Sequence, residues 1–290
     1  MPLPTLVIPT MQPSVAAQVT DEQLLRYAEL IYDRTGIRVS SQKKTLLSNR
    51  VRRRLRETGI GSFEEYLKHL EKLRSSDPEW DAFFQEITTH ETYLFRDQSQ
   101  WDWFCSYLRQ RSAAAVSQGP DGRGLRIWSA ACSTGDEAYT AACCIAMSLT
   151  AHQRWNIKII GTDIGAKAVA QAKAAVFEKR AMRLAPQECL RFFQAIGSAQ
   201  SWKARPILSE MASFRQHNLM DRFNEQPFDI VFLKNVLIYF DTASKKKVVD
   251  NVRAAIRPGG FLVAGAAEGV TELVKDFTRI QPWLFQRPHQ

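Results

Sequence analysis

Three polar side chains stand just beyond apolar runs that read as buried strands. Glu137 follows IWSAACSTGD, Asp163 closes IKIIGTD, and Asn235 closes FDIVFLKN. In an open α/β sheet, ligands collect beyond the carboxyl ends of the strands, so these positions point to one candidate site. The stretch WSAACSTGDEAYTAA (Trp128–Ala142) carries the most information. It leaves a strand, turns at Ser133-Thr134-Gly135 and enters a helical segment through Asp136 and Glu137. A turn that grips pyrophosphate needs glycines and free backbone N–H groups, or a lysine. This turn has one glycine, two carboxylates and no G-x-G-x-x-G.

Carboxylates suit a ligand that is positively charged and free of phosphate. S-adenosylmethionine fits, because it carries a sulfonium, an ammonium and a ribose. Asp163, an acid at the end of the second strand, suits a ribose diol that donates two hydrogen bonds. The plainer alternative is that Asp136 and Glu137 only complement the positive end of a helix dipole.

The elements that must hold these residues follow from periodicity. Apolar runs at 125–131, 157–163, 228–235 and 261–267 alternate with helical stretches starting at 136, ending near 175, and spanning 242–256. Strands without polar alternation, separated by helices, imply a parallel sheet covered on both faces. Residues 277–287 could add an antiparallel edge strand. The stretch 112–124 reads as a loop, and 178–216 as a small insertion. Residues 21–87 read as helices only. Asp21 is the expected first cap, Ser40 or Ser41 opens the second helix, Ser62 the third with Glu65 as its capping-box partner, and Asp77-Pro78 the fourth, while Gly36 and Gly59 end the first two.

Composition narrows the function classes. The 290 residues include five cysteines and carry a net charge of +9. The cysteines form no C-x-x-C pair, which suits free thiols in a cytoplasm and argues against zinc or any other metal site. His69, His152, His217 and His289 join no constellation and read as structural. No apolar run approaches the roughly 20 residues of a membrane helix, so no membrane insertion is expected. The first 20 residues are proline-rich and uncharged, and read as a flexible leader. Positive charge concentrates in Lys43, Lys44, Arg50, Arg52, Arg53, Arg54 and Arg56, with no acid among them. Such a helix attracts an acidic partner, although a charge run is more often a solvated face.

Five ordered motifs carry a family resemblance. TTHETYLFRD (88–97), SAACSTGDEAYT (129–140), GTDI (161–164), HNLM (217–220) and FDIVFLKNVLIYFD (228–241) together resemble the CheR group of chemotaxis receptor methyltransferases. The resemblance covers the chain from about residue 21. It implies an α/β chain with a small N-terminal all-helical domain, followed by a Rossmann-like S-adenosylmethionine-dependent methyltransferase domain with a small β insertion. The layout expected is a leader at 1–20, a helical substrate-recognition domain at 21–87, a linker and joining helix at 88–111, and a catalytic domain at 112–290 with its insertion at about 178–216.

The resemblance further implies methyl transfer to glutamate side chains of chemoreceptors, leaving S-adenosylhomocysteine. Cofactor contacts carry over to His90, Thr92, Arg96, Glu137, Asp163, Asn218, Leu219, Asn235 and Val236. Arg96 and Tyr239 are expected to orient the substrate carboxylate. Arg50, Arg53 and Arg54 are expected to meet the acidic helical cytoplasmic region of a methyl-accepting receptor. A monomer is implied, without nucleic acid as partner. The chain departs from the family motifs where His90 replaces a usual Asn, Ala138 a usual Pro, and Leu233-Lys234 a Cys-Arg pair. Lys is not equivalent to Arg where a planar fork is used, but either could be a solvated strand-end residue. Residues 190–214 lack the family's RG-x-G loop, so tethering through a receptor's C-terminal peptide is not expected. Two alternatives stay open. A nucleic-acid methyltransferase would use the basic domain for phosphates, but its usual proline-pair signature is missing. A signalling adaptor would bind the cofactor without turnover.

Overall fold

A computed structural model describes residues 18–118, 123–149, 151–197, 200–265 and 268–289. The leader expected at 1–20 lies outside the described residues as far as residue 17.

The helical domain comprises α1 (Asp21–Thr35), α2 (Lys44–Thr58), α3 (Phe63–Lys72) and α4 (Pro78–Ile87). Thr20, not Asp21, caps α1. Its hydroxyl accepts from the Gln23 amide while the Gln23 side chain accepts from the Thr20 amide, a complete capping box. Asp21 instead lies in the first turn and pairs with Lys44 at 2.7 Å. A short 3₁₀ turn at Ser41–Lys43 precedes α2, with no side-chain cap. Ser62 accepts from the Glu65 amide to open α3, and Asp77 accepts from the Glu79 amide to open α4. The four apolar faces enclose Tyr27, Ile31, Val51, Tyr66, Leu67 and Phe83, all fully buried.

α5 (Gln98–Gln118) joins this domain to the sheet. Residues 112–118 belong to it and are not the expected loop, because the Ala113–Ala115 run favours helix strongly. Next come β1 (Gly124–Ala130), α6 (Asp136–Ser148), β2 (Asn156–Asp163), α7 (Ala166–Ala174), β3 (Val176–Glu178), β4 (Phe193–Ile196), β5 (Ser201–Ala204) and α8 (Pro206–Ser209). Then follow β6 (Ala212–Gln216), β7 (Phe228–Leu233), α9 (Thr242–Ala255), β8 (Ile256–Ala264), β9 (Thr278–Gln281) and β10 (Leu284–Gln286). Among the described residues the main sheet runs β6-β2-β1-β7-β8-β10-β9. Strands β6 to β8 are parallel, and β10 and β9 form an antiparallel hairpin at the edge.

Three short strands, β3-β5-β4, make the small antiparallel insertion. It ends earlier than expected. Residues 212–216 pair in parallel with Ile159–Asp163 and belong to the main sheet. Strand β8 also starts earlier than expected, at Ile256, and passes through Pro258-Gly259-Gly260 with a register irregularity against β7.

Alternate side chains of each central strand fill opposite faces, as the pleat requires. Ile127, Ile159 and Phe232 pack with α5 and α6, where Trp101 stacks on Phe232 at 5.0 Å between ring centroids. Trp128, Ile160 and Val231 pack toward α9 with Val248 and Val252. Several contacts sew the helical domain to this scaffold. The Ala168 amide donates to Gln85 Oε1, Ile37 bridges Phe240, and the Arg38 amide donates to the Tyr239 carbonyl.

Candidate functional site

The carboxyl ends of β1, β2 and β7 open onto one cleft with about 1400 Å³ of empty space, its mouth included. His90, Thr92, Arg96, Glu137, Asp163, Asn218, Leu219, Asn235, Val236 and Tyr239 all line it, and so does Arg50. Arg53 and Arg54 are not among its lining residues. The roof comes from the helical domain through Ile37, Arg38, Val39 and Lys43.

Glu137 sits in the first turn of α6 and points into the cleft. Its Oε1 accepts from Ser129 Oγ at 2.7 Å, and its Oε2 stands 3.7 Å from Lys234 Nζ. Burial pushes this carboxyl up, and Lys234 pulls it back down. Asp136 turns away and accepts from Thr134 Oγ1 at 2.6 Å. The two acids therefore differ in role, and only Glu137 faces the cleft. Gly135 permits this turn at φ 92°, where a Cβ would come within 2.9 Å of Ala172 Cβ.

Asp163 ends β2 with both oxygens engaged. Oδ2 accepts from the Ser133 amide at 2.8 Å and Oδ1 from the Gly165 amide at 2.9 Å. Each oxygen keeps a second lone pair for a hydroxyl donor. The Ser133 amide is thereby taken, and the Gly135 amide donates to the Cys132 carbonyl, so two amides of the turn are not free for a phosphate. The donor set therefore fits a phosphate-free cationic nucleoside and disfavours a dinucleotide.

His90 is half-buried against the neighbouring turn. Thr88 Oγ1 donates to the Phe84 carbonyl at 2.6 Å and lies 2.7 Å from His90 Nε2. The hydroxyl has one proton, so Nε2 carries the ring proton and Nδ1 faces Asp163 Oδ1 at 3.9 Å. Burial lowers the imidazole pKa, Asp163 opposes that, and Arg50 adds to it, so the ring is neutral near pH 7.

Asn218 lines the cleft with its side chain engaged by protein. Its Nδ2 donates to the Arg34 carbonyl at 2.7 Å and its Oδ1 accepts from the Met220 amide at 3.0 Å. The side chain fastens the helical domain to the 217–220 turn, which leaves the backbone to face a ligand. Leu219 is buried beside it. His217, expected to be structural, also lines the cleft while its ring packs 4.7 Å from Phe223. Thr92, Arg96 and Tyr239 are half-buried walls, and Arg96 Nη1 donates to the Glu91 carbonyl at 3.1 Å.

Two residues at this site escaped the sequence reading. Lys234 is not a solvated strand end but is 7% exposed, and its ammonium is enclosed by acids and by the Trp101 ring at 5.1 Å. Glu268 is fully buried, and its Oε1 accepts from the Val236 amide at 3.1 Å. It holds the turn after β7, in which Asn235 adopts φ 58°. The only signal was a single acid among small apolar residues in AGAAEGV. Glu268→Ala leaves that amide buried without its acceptor. It is expected to weaken cofactor binding about tenfold, from roughly 1–3 kcal/mol for an unsatisfied donor, read by calorimetry with S-adenosylhomocysteine. Unchanged affinity would remove Glu268 from the site's support.

The basic helix α2 divides its charges. Arg50 reaches the Ile87 carbonyl and donates to Thr89 Oγ1 at 2.9 Å, on the cleft wall. Arg53 is half-exposed and pairs with Glu86 at 3.0 Å. Arg54 corrects the recognition set. It is 6% exposed, forks onto Glu79 at 2.7 and 3.0 Å, and also pairs with Glu57. Tyr66 donates to the same Glu79 at 2.5 Å. A guanidinium held this way has no face left for a partner.

Comparison with known proteins agrees with this geometry. Residues 22–88 match the family model described as the CheR methyltransferase all-alpha domain, and residues 90–283 match the CheR methyltransferase SAM binding domain. A chemotaxis protein methyltransferase of Salmonella typhimurium is 32% identical over 286 residues, spanning 94% of this chain and 95% of the relative. Chemotaxis protein methyltransferase 1 of Pseudomonas aeruginosa is 31% identical over 256 residues, spanning 85% of this chain and 89% of the relative. A chemotaxis protein methyltransferase of Borreliella burgdorferi is 28% identical over 258 residues, spanning 87% and 89%. With both halves matched by models of one family, and a cleft whose acceptors suit the cofactor named for it, the chain belongs to the CheR methyltransferase family and uses S-adenosylmethionine.

Proposed function

We propose that this chain methylates glutamate carboxylates on the acidic helical cytoplasmic region of methyl-accepting chemoreceptors, as a cytoplasmic monomer. The relatives' names supply the chemotaxis context. The observation that carries the substrate reading is the cleft's charge layout. Arg38, Lys43, Arg50 and Arg96 line the same cleft as Glu137 and Asp163, so cations outnumber the acids the cofactor would engage. An acidic helix is drawn to such a cleft and its on-rate raised. No helix of the described residues is long and apolar enough to cross a membrane.

His90, Thr92, Arg96, Glu137, Asp163, Leu219, Asn235 and Val236 are the residues that would hold the cofactor, with Asn218 contributing backbone. S-adenosylmethionine, when bound, supplies an electrophilic methyl group on a sulfonium. The protein need not remove a proton from the acceptor, because a glutamate side chain with a reference pKa of about 4.3 is ionised at neutral pH. Its task is alignment and exclusion of water. Arg96 and Tyr239 would orient the incoming carboxylate from opposite walls, and the roof at Ile37–Val39 would keep the reacting groups dry.

The test is transfer of radiolabelled methyl groups from the cofactor to receptor-containing membranes, followed by mild alkali. Methyl ester label is released as methanol. Label that survives alkali, or that resides on nucleic acid, sinks the glutamate reading. Binding of cofactor product without any transfer would instead support an adaptor.

A further inference from the structure

Lys234 is a buried ammonium on the cleft floor, at a position where a strand-end lysine would ordinarily be solvated. Its Nζ lies 3.2 Å from Asp97 Oδ2, 3.2 Å from the Arg96 carbonyl and 3.7 Å from Glu137 Oε2. Its side chain is 3% exposed. Burying an ammonium this deeply is costly unless opposite charge surrounds it. The chain supplies that charge by bending itself. Phe95 and Asp97 adopt φ 59° and 66°, so the turn carrying Arg96 sits in a backbone region that side-chain-bearing residues seldom occupy. The turn aims the Asp97 carboxylate and the Arg96 carbonyl at one point. That carbonyl also accepts from Trp101 Nε1 at 2.7 Å.

The distances separate two kinds of contact. Asp97 and the Arg96 carbonyl are within hydrogen-bond reach of Nζ, whereas Glu137 Oε2 is not. Lys234 therefore acts on Glu137 chiefly by charge, with hydrogen bonding the smaller part. Oε1 is taken by Ser129. Glu137 lines the cleft, and Oε2 has no partner within normal hydrogen-bond distance among the described residues. One cation between two carboxylates leaves the cluster with a net charge of about −1 if all three are ionised. A single ammonium on a ligand would complete it.

We propose that Lys234 is a positioning residue for the cofactor: it sets a positive charge 3.7 Å from Glu137 Oε2, the acid that would meet the aminoacyl ammonium, and it pins the Arg96 turn to the end of β7. The proposal rests on the assignment of this cleft as the cofactor site. It gives the motif position before Asn235 a task, and it assigns Glu137 to the amino group while Asp163 is left to the ribose.

The groups facing Glu137 define what its titration would report. They are Lys234 from the end of β7, Asp97 from the 88–97 segment, Ser129 from β1 and Cys132 from the turn after it. The Ser129 hydrogen bond favours the anion, while burial, and then Asp97, favour the protonated acid. Lys234 is the nearby cation that opposes them within 4 Å. Without it, the Glu137 pKa rises further, because the main opposing charge is gone. A protonated Glu137 can no longer accept from an ammonium as an anion.

The experiment compares wild type with Lys234→Met and Lys234→Arg. Affinity for S-adenosylhomocysteine is measured by calorimetry from about pH 6 to pH 8.5. The wild type is expected to bind with little change across this range. In Lys234→Met, affinity should fall below the Glu137 pKa by up to about tenfold per pH unit, the limit for one linked proton. It should recover as the pH rises. Lys234→Arg should restore the flat profile. A merely structural role would lower thermal stability and weaken binding equally at every pH, so parallel profiles overturn the proposal, as does a slope that persists in Lys234→Arg. If Lys234→Met does not fold, Lys234→Gln, which keeps a hydrogen-bonding group near Asp97, takes its place.

A second readout needs no ligand. The Glu137 carboxyl carbon is followed by ¹³C NMR, with Glu137→Gln identifying the resonance. An upward displacement of its titration in the Lys234 variants supports the proposal, and an unmoved titration overturns it. Failure of wild type to bind the nucleoside would strike the cofactor-site assignment, while this titration still decides what Lys234 does to Glu137.

Discussion

Asp163→Ala is expected to weaken binding of S-adenosylhomocysteine by about a hundredfold to a thousandfold. Two losses combine. The ribose loses an anionic acceptor, worth about 1.5–3 kcal/mol for a hydrogen bond to a charged group. The Ser133 and Gly165 amides lose the oxygens that fix the two turns around the cleft. Asp163→Asn should rescue little. Both oxygens accept from backbone N–H, so an amide must set its own NH₂ against one of those donors. Calorimetry at constant pH reads the affinity, and circular dichroism checks the fold. A loss below threefold in a folded variant would sink the assignment of Asp163 to the ribose.

Arg54→Ala is expected to destabilise the helical domain by about 3–5 kcal/mol, the usual cost of stripping one partner from a buried ion pair. Glu79 would remain at that site with Tyr66 as its donor but without the forked guanidinium. Arg53→Ala, by contrast, removes a half-exposed pair with Glu86 and should cost under about 1 kcal/mol. Urea unfolding followed by helical circular dichroism distinguishes the two. Equal midpoints for both variants would show that the α2 arginines share one role after all. In the family's terms, Arg54 holds the domain's shape, whereas Arg50 and Arg53 stay candidates for meeting a receptor.

The residues that were legible in the sequence share a property. Glu137, Asp163 and Asn235 each interrupt an apolar run at its carboxyl end, and a strand end is a place, so their convergence followed from topology. The central strands were legible because they are buried on both faces and lack alternation. Strand β6 was not, since ASFRQ buries only Phe214 and lies at the sheet edge. Lys234 and Glu268 were illegible for a different reason. Their surroundings come from Asp97, Trp101 and the Val236 amide, and no local pattern foretells that a charge will be enclosed by segments distant in the chain. Asn218 was found by motif, but its bond to the Arg34 carbonyl lies across the domain seam. The arginines of α2 looked alike in sequence because helical phase alone does not say which of them meets Glu79.

The roof of the cleft has a practical consequence for anyone recombining such enzymes. Ile37 bridges Phe240, Gly36 sits so close to Met220 that a Cβ would come within 2.5 Å of its sulfur, and Arg38 bonds to the Tyr239 carbonyl. The catalytic half thus borrows a wall from its neighbour. A chimera that grafts a foreign targeting module at residue 90 must carry the 36–43 segment along, or it will inherit a chamber with one side missing.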